Sequence, residues 1–165
     1  MKDGASPPRR PRILLVGEDF GRSPLRYHSD RYALTGRSGE RVAELAGLGF
    51  PTEYARVFAR SNVVELPSGW SDPDEVRDGL FRLAPMMLRA PRTILLGRRV
   101  AAAFGLLDLE LLEWKQWQVR SDRPMVAPEI SRLPHPSGRN RWWNDPTNVR
   151  LAETFLRDTV RWATS

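Results

Sequence analysis

The sequence predicts an α/β protein, a three-layer α/β/α sandwich around a central, mainly parallel sheet of four strands. One observation and one rule of sheet architecture predict it. Short apolar segments alternate along the chain with longer segments whose apolar residues recur every three or four positions. Strands that alternate with helices in this way pair in parallel and are covered by helices on both faces. The 165 residues suit one domain, which we place at 12–165, after a disordered lead-in at 1–11 that is rich in Pro and Arg.

Four short segments with apolar residues predict strands. They are 13–16, 60–66, 93–96 and 128–133, of which the last has the weakest pattern. The first and third run directly into Gly17 and Gly97. In an open parallel sheet the binding site lies at the carboxyl ends of the strands, so we expect functional residues just after these runs.

Four segments predict helices. Apolar spacing indicates one at 38–48, and a face of small alanines indicates one at 98–106. The other two begin at Ser71-Asp72-Pro73-Asp74, which offers a cap candidate and a proline at a first-turn position, and at Asp145-Pro146-Thr147.

Composition excludes several kinds of site. The chain has no Cys, which rules out disulfides, thiolate zinc sites, Cys-ligated iron–sulfur clusters and a Cys nucleophile. Its two histidines, His28 and His135, lack ligand-like spacing, so we expect no transition metal. The net charge is +6, and all but two of the 26 basic residues are Arg. Arg binds phosphate with two parallel donors, so nucleic acid is a plausible partner, although genomic base composition also favours Arg.

No apolar segment approaches the roughly 20 residues that cross a bilayer, and none follows Arg9 and Arg10 as a secretory signal would. We therefore expect a cytoplasmic protein that contacts no membrane and acts as a monomer.

Two predicted strand ends carry polar residues. The segment Gly-Glu-Asp-Phe-Gly at 17–21 places Glu18 and Asp19 after the first strand. A carboxylate there can position a water or stabilise a cation, or it can belong to an ordinary polar turn. Asn62 lies in an apolar run, where an Asn is disfavoured unless its amide is used. An amide that donates and accepts matches the edge of a nucleobase, and the alternative is an Asn that ties two loops together.

The segment between the last strand and the last helix, 133–145, is the richest in chemistry. Two prolines fix the backbone on either side of His135, as a catalytic donor requires. Arg139 and Arg141 suit phosphates, and Trp142 or Trp143 can stack on bases or wedge between them. The alternative is a loop whose tryptophans pack on the core. A Gly-containing turn at 32–39, which leads into a helix, gives a weak anion-binding signal.

Taken in this order, the motifs resemble those of the uracil-DNA glycosylase superfamily over about residues 12 to 145. The segment 17–21 resembles its water-activating loop, and Gly-Arg-Ser-Gly at 36–39 resembles the turn of its thermostable branch. Asn-Val-Val at 62–64 is similar to its base-recognising strand, and 95–101 to its third strand and Ala-rich helix. His-Pro-Ser at 135–137 matches its second motif, and the continuation to 140 is similar to the single-strand-selective branch.

The resemblance implies a monofunctional DNA N-glycosylase that hydrolyses the bond between the sugar and a flipped-out base, with DNA as partner and no cofactor. It assigns catalysis to Asp19 or Glu18, with a slight preference for Asp19, and to His135. It assigns base binding to Asn62, Phe20 and Leu34.

The resemblance assigns DNA contacts to five further residues: Ser137, Arg139, Arg141, Trp142 and Arg37. The chain also departs from the family pattern. It lacks the four Cys that hold a cluster in the thermostable branch, and Phe20 replaces the usual Pro. Leu34 stands where an aromatic ring stacks on uracil. The base is therefore open between uracil and another altered base, in repair or in defence against modified foreign DNA. The rival functions are a non-catalytic nucleic-acid binder and a hydrolase of nucleosides or nucleotides.

Overall fold

One mixed sheet organises the part of the chain that the structure, a computed structural model, describes: residues 11–19, 33–118 and 127–165. Its strand order is β2-β1-β3-β5-β4. The strands are β1 (Ile13–Gly17), β2 (Phe58–Asn62), β3 (Arg92–Leu96), β4 (Lys115–Gln116) and β5 (Glu129–Leu133). Phe20 and nearly all of the predicted lead-in lie outside the described residues.

The described helices are α1 (Arg37–Ala46), α2 (Thr52–Val57), α3 (Pro73–Arg89), α4 (Arg98–Ala103) and α5 (Pro146–Thr164). Two short 3₁₀ turns, Pro67–Ser71 and Arg141–Asn144, precede α3 and α5. The α/β class with a mainly parallel sheet is confirmed. Within the described residues, no helix is both long enough and apolar enough to span a membrane.

The sheet has five strands in the described residues, so the prediction of four was wrong by one edge strand. The four predicted strands pair in parallel, and β4 adds to β5 in the antiparallel sense. Both residues of β4 are exposed and the strand is only two residues long. A segment this short shows no periodicity from which a strand could be predicted.

The second strand lies earlier than predicted. It ends at Asn62, whereas Val63 and Val64 follow it and donate to the carbonyls of Gly17 and Glu18. Asn62 therefore stands at the carboxyl end of β2, at the same edge of the sheet as the end of β1.

The two faces of the sheet bury separate apolar clusters, which makes the three layers. Ile13 and Leu15 of β1 face α1 and α5, whereas Leu14 and Val16 face α3 and α4. Alternation along a strand sends neighbouring side chains to opposite faces, so a continuous apolar run fits a sheet covered on both sides.

Helix boundaries follow local chemistry. Oδ1 of Asp72 accepts a hydrogen bond of 2.9 Å from the Asp74 amide, and Oδ1 of Asp145 accepts one of 2.8 Å from the Thr147 amide. Both predicted helix starts are confirmed. Helix α1 ends at Ala46, earlier than predicted, because Gly47 adopts a left-handed conformation with φ of 70°.

Candidate active site

Glu18 and His135 approach the same point above Gly97. They follow β1 and β5, and Gly97 follows β3, the strand between them. A Cβ added to Gly97 would lie 3.0 Å from Oε1 of Glu18 and 3.2 Å from Cβ of His135. Gly97 also has φ of 102°, which side-chain-bearing residues rarely adopt. Glycine here lets a carboxylate and an imidazole converge at the carboxyl edge of the sheet.

A cavity of about 340 Å³ opens at this point. Its volume is near the lower limit of ligand pockets, which span about 300–1,000 Å³. The polar and aromatic side chains that line it include Glu18, Arg98, Arg99, Arg132, His135 and Trp142.

His135 is held in one orientation. Its Nδ1 accepts a hydrogen bond of 3.2 Å from the Ser137 amide, so the proton of the ring lies on Nε2. Its carbonyl accepts a hydrogen bond of 2.9 Å from the indole of Trp143. The ring can therefore donate from Nε2 without changing tautomer.

Of the two candidate carboxylates, Glu18 lines the cavity. Its side chain is 24% exposed, and its Oε2 lies 3.9 Å from Nη1 of Arg99. Asp19, the next residue, is also partly buried but is outside the lining of this cavity. The cavity geometry thus favours Glu18, whereas the family resemblance slightly favoured Asp19.

Asn62 is fully buried, and within the described residues neither its Oδ1 nor its Nδ2 has a hydrogen-bond partner. It pairs in register with Gly17, and a Cβ on Gly17 would collide with Oδ1 of Asn62. Two buried polar atoms without partners carry a substantial desolvation penalty, of about 1–3 kcal/mol each. Such a group is a candidate for binding a ligand.

Leu34 lies next to this amide, since its Cδ2 is 3.0 Å from the Cβ position of Gly17. It is one of two non-glycine residues with positive φ in the described chain, at 53°. Leu34, which the resemblance aligns with a stacking aromatic ring, therefore lies beside Asn62. Neither residue lines the 340 Å³ cavity.

Arg82 supports Asn62 from α3. Its Nη2 donates to the Asn62 carbonyl at 2.6 Å, and its Nη1 donates to the Ser61 hydroxyl at 2.8 Å. Helix α3 comes this close because Gly79 faces the Val63 carbonyl, where a Cβ would collide. Sequence analysis missed Arg82, because nothing in the local pattern links it to a strand 20 residues earlier.

The two tryptophans of the loop after β5 have different surroundings. Trp143 is only 5% exposed and belongs to the core, with the Arg41 guanidinium 4.6 Å from its ring. Trp142 is half-buried and lines the cavity, and its backbone is fixed by Asn140 and Asn148. Of the two, Trp142 is therefore the one available to a ligand.

The predicted DNA-contacting arginines are exposed. Arg139 and Arg141 lie in the loop after β5, and Arg37 begins α1. Ser137 acts on the site through its amide, which donates to His135. None of these four residues lines the cavity.

Three cavity arginines were missed by the sequence analysis. Arg98 and Arg99 directly follow Gly97, so the strand-end rule that singled out Glu18 could have found them. Arg132 lies inside β5, a strand that also contains Glu129 and Ser131, so no local pattern singles it out.

No group of three or more acidic or histidine side chains in the described parts of the chain is arranged to hold a metal ion. A comparison with protein-family models gives no match to this chain, and a comparison with curated proteins gives none either.

Proposed function

We propose that this protein is a monofunctional DNA N-glycosylase of the uracil-DNA glycosylase type, acting as a monomer on cytoplasmic DNA. It would hydrolyse the N-glycosidic bond of a flipped-out uracil or other altered base. The observation that carries the proposal is the convergence of the Glu18 carboxylate and the His135 imidazole over Gly97 in one cavity. The motif order that resembles the superfamily supports it independently.

The reaction needs charge stabilisation on both sides of the breaking bond. As the bond between C1′ and the base nitrogen breaks, its electron pair leaves with the base and the sugar becomes cationic. The Glu18 carboxylate stabilises that cation and orients the water, which adds to C1′ and passes a proton to the carboxylate. That proton then leaves to solvent, and the departing base anion takes one up. His135 donates a hydrogen bond from Nε2 to the base oxygen, where negative charge collects. The products are the free base and an abasic sugar.

Asn62 supplies base recognition in this proposal. Its amide has one donor group and one acceptor, both without partners in the described residues, and therefore matches the paired acceptor and donor of a pyrimidine edge. A substrate that fills both positions would remove the penalty of the buried amide.

Extraction of a base from the stack costs a few kcal/mol, which contacts to the backbone must offset. The exposed Arg37, Arg139 and Arg141 suit that role, because guanidinium groups bind phosphate with two donors. Trp142, half-buried at the cavity, suits stacking in the space that the base leaves.

One structural feature bears on which base is released. An aliphatic side chain, Leu34, lies beside the Asn62 amide, and it cannot stack on a flat ring as an aromatic residue does. This favours an altered base other than uracil as a second candidate substrate. The biological role would then be DNA repair or defence against modified foreign DNA.

The deciding experiment is base release. Labelled oligonucleotides with uracil or one of several modified bases, single- and double-stranded, are incubated with the protein and then cleaved with alkali at abasic sites. The proposal expects release from at least one substrate. Glu18→Gln and His135→Gln should each slow it by about 10² or more. Asp19→Asn, made in parallel, shows which carboxylate acts.

Release from none of the substrates would overturn the enzyme proposal and favour a non-catalytic DNA binder. Free deoxynucleosides are assayed in parallel for released base by chromatography, and release from them but from no oligonucleotide would indicate a nucleoside hydrolase. Unchanged rates in both Glu18→Gln and His135→Gln would show that the site is elsewhere.

A further inference from the structure

The cavity beside Glu18 and His135 has an excess of positive charge. Arg98, Arg99 and Arg132 line it, against the single carboxylate of Glu18. Guanidinium groups stay charged at any physiological pH. A neutral base needs no such concentration of cations, whereas an anionic group does.

Of the three cavity arginines, Arg132 is the one that lies within the sheet. It lies on β5, in register with Leu95 of β3, and its carbonyl accepts a hydrogen bond of 2.9 Å from the Leu112 amide. Its Nε is buried and has no hydrogen-bond partner in the described part of the chain. A buried guanidinium donor without a partner is costly, and an anion in the cavity would supply the missing acceptor.

Arg99 is only weakly engaged. Its contact with Glu18 is a single long one of 3.9 Å, without the paired geometry of a strong Arg–carboxylate bridge, and its side chain is 58% exposed. Its guanidinium carbon lies 5.3 Å from the centre of the Trp70 ring. Arg98 is exposed at the mouth of the same cavity. Both guanidinium groups can therefore turn toward an anion without breaking a strong interaction.

We infer that the cavity is a phosphate subsite, in which Arg132, Arg99 and Arg98 bind the phosphate attached to the nucleotide whose base is released. The inference rests on the proposed function, because it takes the substrate to be a nucleotide. Planar guanidinium groups match the oxygens of a phosphate with two parallel hydrogen bonds.

Binding titrations with paired probes test the subsite. Deoxyuridine and deoxyuridine 5′-monophosphate are titrated calorimetrically into the protein, with inorganic phosphate as competitor. We expect the monophosphate to bind at least tenfold more tightly than the nucleoside, and inorganic phosphate to compete with it. Arg132→Gln and Arg99→Gln should each remove most of that preference. Arg77→Gln is the matched control, since Arg77 is an exposed arginine on α3 outside the cavity.

A second pair of probes distinguishes a DNA phosphate from a free nucleotide. Two short uracil-containing oligonucleotides differ only by an uncharged methylphosphonate at the phosphate on the 5′ side of the uridine. If the subsite takes a strand phosphate, the neutral linkage should weaken binding tenfold in the wild type and have no effect in Arg132→Gln. If only the free monophosphate shows the preference, the source is a free nucleotide.

Equal affinities within both pairs of probes would overturn the inference, as would a preference that survives both arginine substitutions. Arg99 is exposed, so Arg99→Gln decides the matter even if Arg132→Gln fails to fold. The binding test of the phosphate subsite and the base-release test of the proposed function can fail independently. An arginine-dependent phosphate preference without base release would retain the subsite and remove the glycosylase, and base release without the preference would do the reverse.

Discussion

Gly17 and Asn62 are register partners on β1 and β2, and the amide oxygen of Asn62 occupies the space that a side chain on residue 17 would take. The pairing couples the end of the first strand to the candidate base-recognising residue. It also explains why glycine follows the apolar run of β1, since any larger residue would displace the amide.

Gly17→Ala should therefore impair the site through Asn62. The added methyl collides with Oδ1 and crowds Leu34, so we expect a loss of stability of about 1–3 kcal/mol and at least a tenfold loss of base release. Urea unfolding and single-turnover release measure the two effects. Gly36→Ala is the control, because no described atom lies within 4 Å of its Cβ position. Equal activity in both variants would contradict the coupling.

Asn62→Leu should separate stability from function. It replaces two buried polar atoms without partners by an apolar group of similar shape, so we expect stability to be unchanged or to rise by up to about 2 kcal/mol. Base release should fall by about 10² or more, since base recognition is lost. Ser131→Ala is the control. It removes a different buried polar group, a hydroxyl without a described partner, and should keep full activity. A destabilised Asn62→Leu would indicate that the amide is structural.

Arg82→Gln should act by positioning Asn62. The change removes hydrogen bonds of 2.6 and 2.8 Å to the Asn62 carbonyl and the Ser61 hydroxyl, so we expect a loss of stability of about 1–3 kcal/mol. Single-turnover release should fall about tenfold, while affinity for abasic DNA, which lacks the base, should be retained. Arg77→Gln on the same helix is the control. Parallel losses of abasic-DNA affinity and release would contradict a positioning role.

Gly97→Ala should disturb the close approach of the Glu18 and His135 side chains. Its φ of 102° and ψ of 161° strain any L-residue, at a cost of about 1–3 kcal/mol, and the new methyl would lie 3.0 Å from Oε1 of Glu18. We expect base release to fall by at least tenfold. Gly105→Ala is the matched control, because Gly105 also has positive φ, at 70°, but no described atom lies within 4 Å of its Cβ position. The melting temperature should then be lower in both variants. Activity should fall only in Gly97→Ala.

Trp143→Phe should show whether the loop after β5 is held by its buried indole. The ring remains apolar, but the hydrogen bond of 2.9 Å to the His135 carbonyl is lost, so we expect a loss of stability of about 1–2 kcal/mol. Release should fall because His135 is less well oriented. Trp142→Phe removes no such bond and should leave stability within about 0.5 kcal/mol. Chemical denaturation of the two variants makes the comparison.

Local patterns predicted the framework well. The apolar runs of β1 and β3, the caps at Asp72 and Asp145 and the α/β class are each set by residues close in sequence. Helix α2 and strand β4 were not predicted, because both are short. Helix α2 is only six residues long and β4 only two, so neither contains enough residues to show a period.

By itself, the sequence determined the parallel α/β fold, the absence of any Cys-based site and the placement of Glu18 and His135 at strand ends. These follow from composition and from periods of two and 3.6 residues, which act over short distances. The tertiary structure decided that Glu18 lines the cavity, that Arg82 holds the carbonyl of Asn62 and that Arg132 faces the same cavity as His135. These relationships join residues on different strands and helices, and only the packing of those elements brings them within reach.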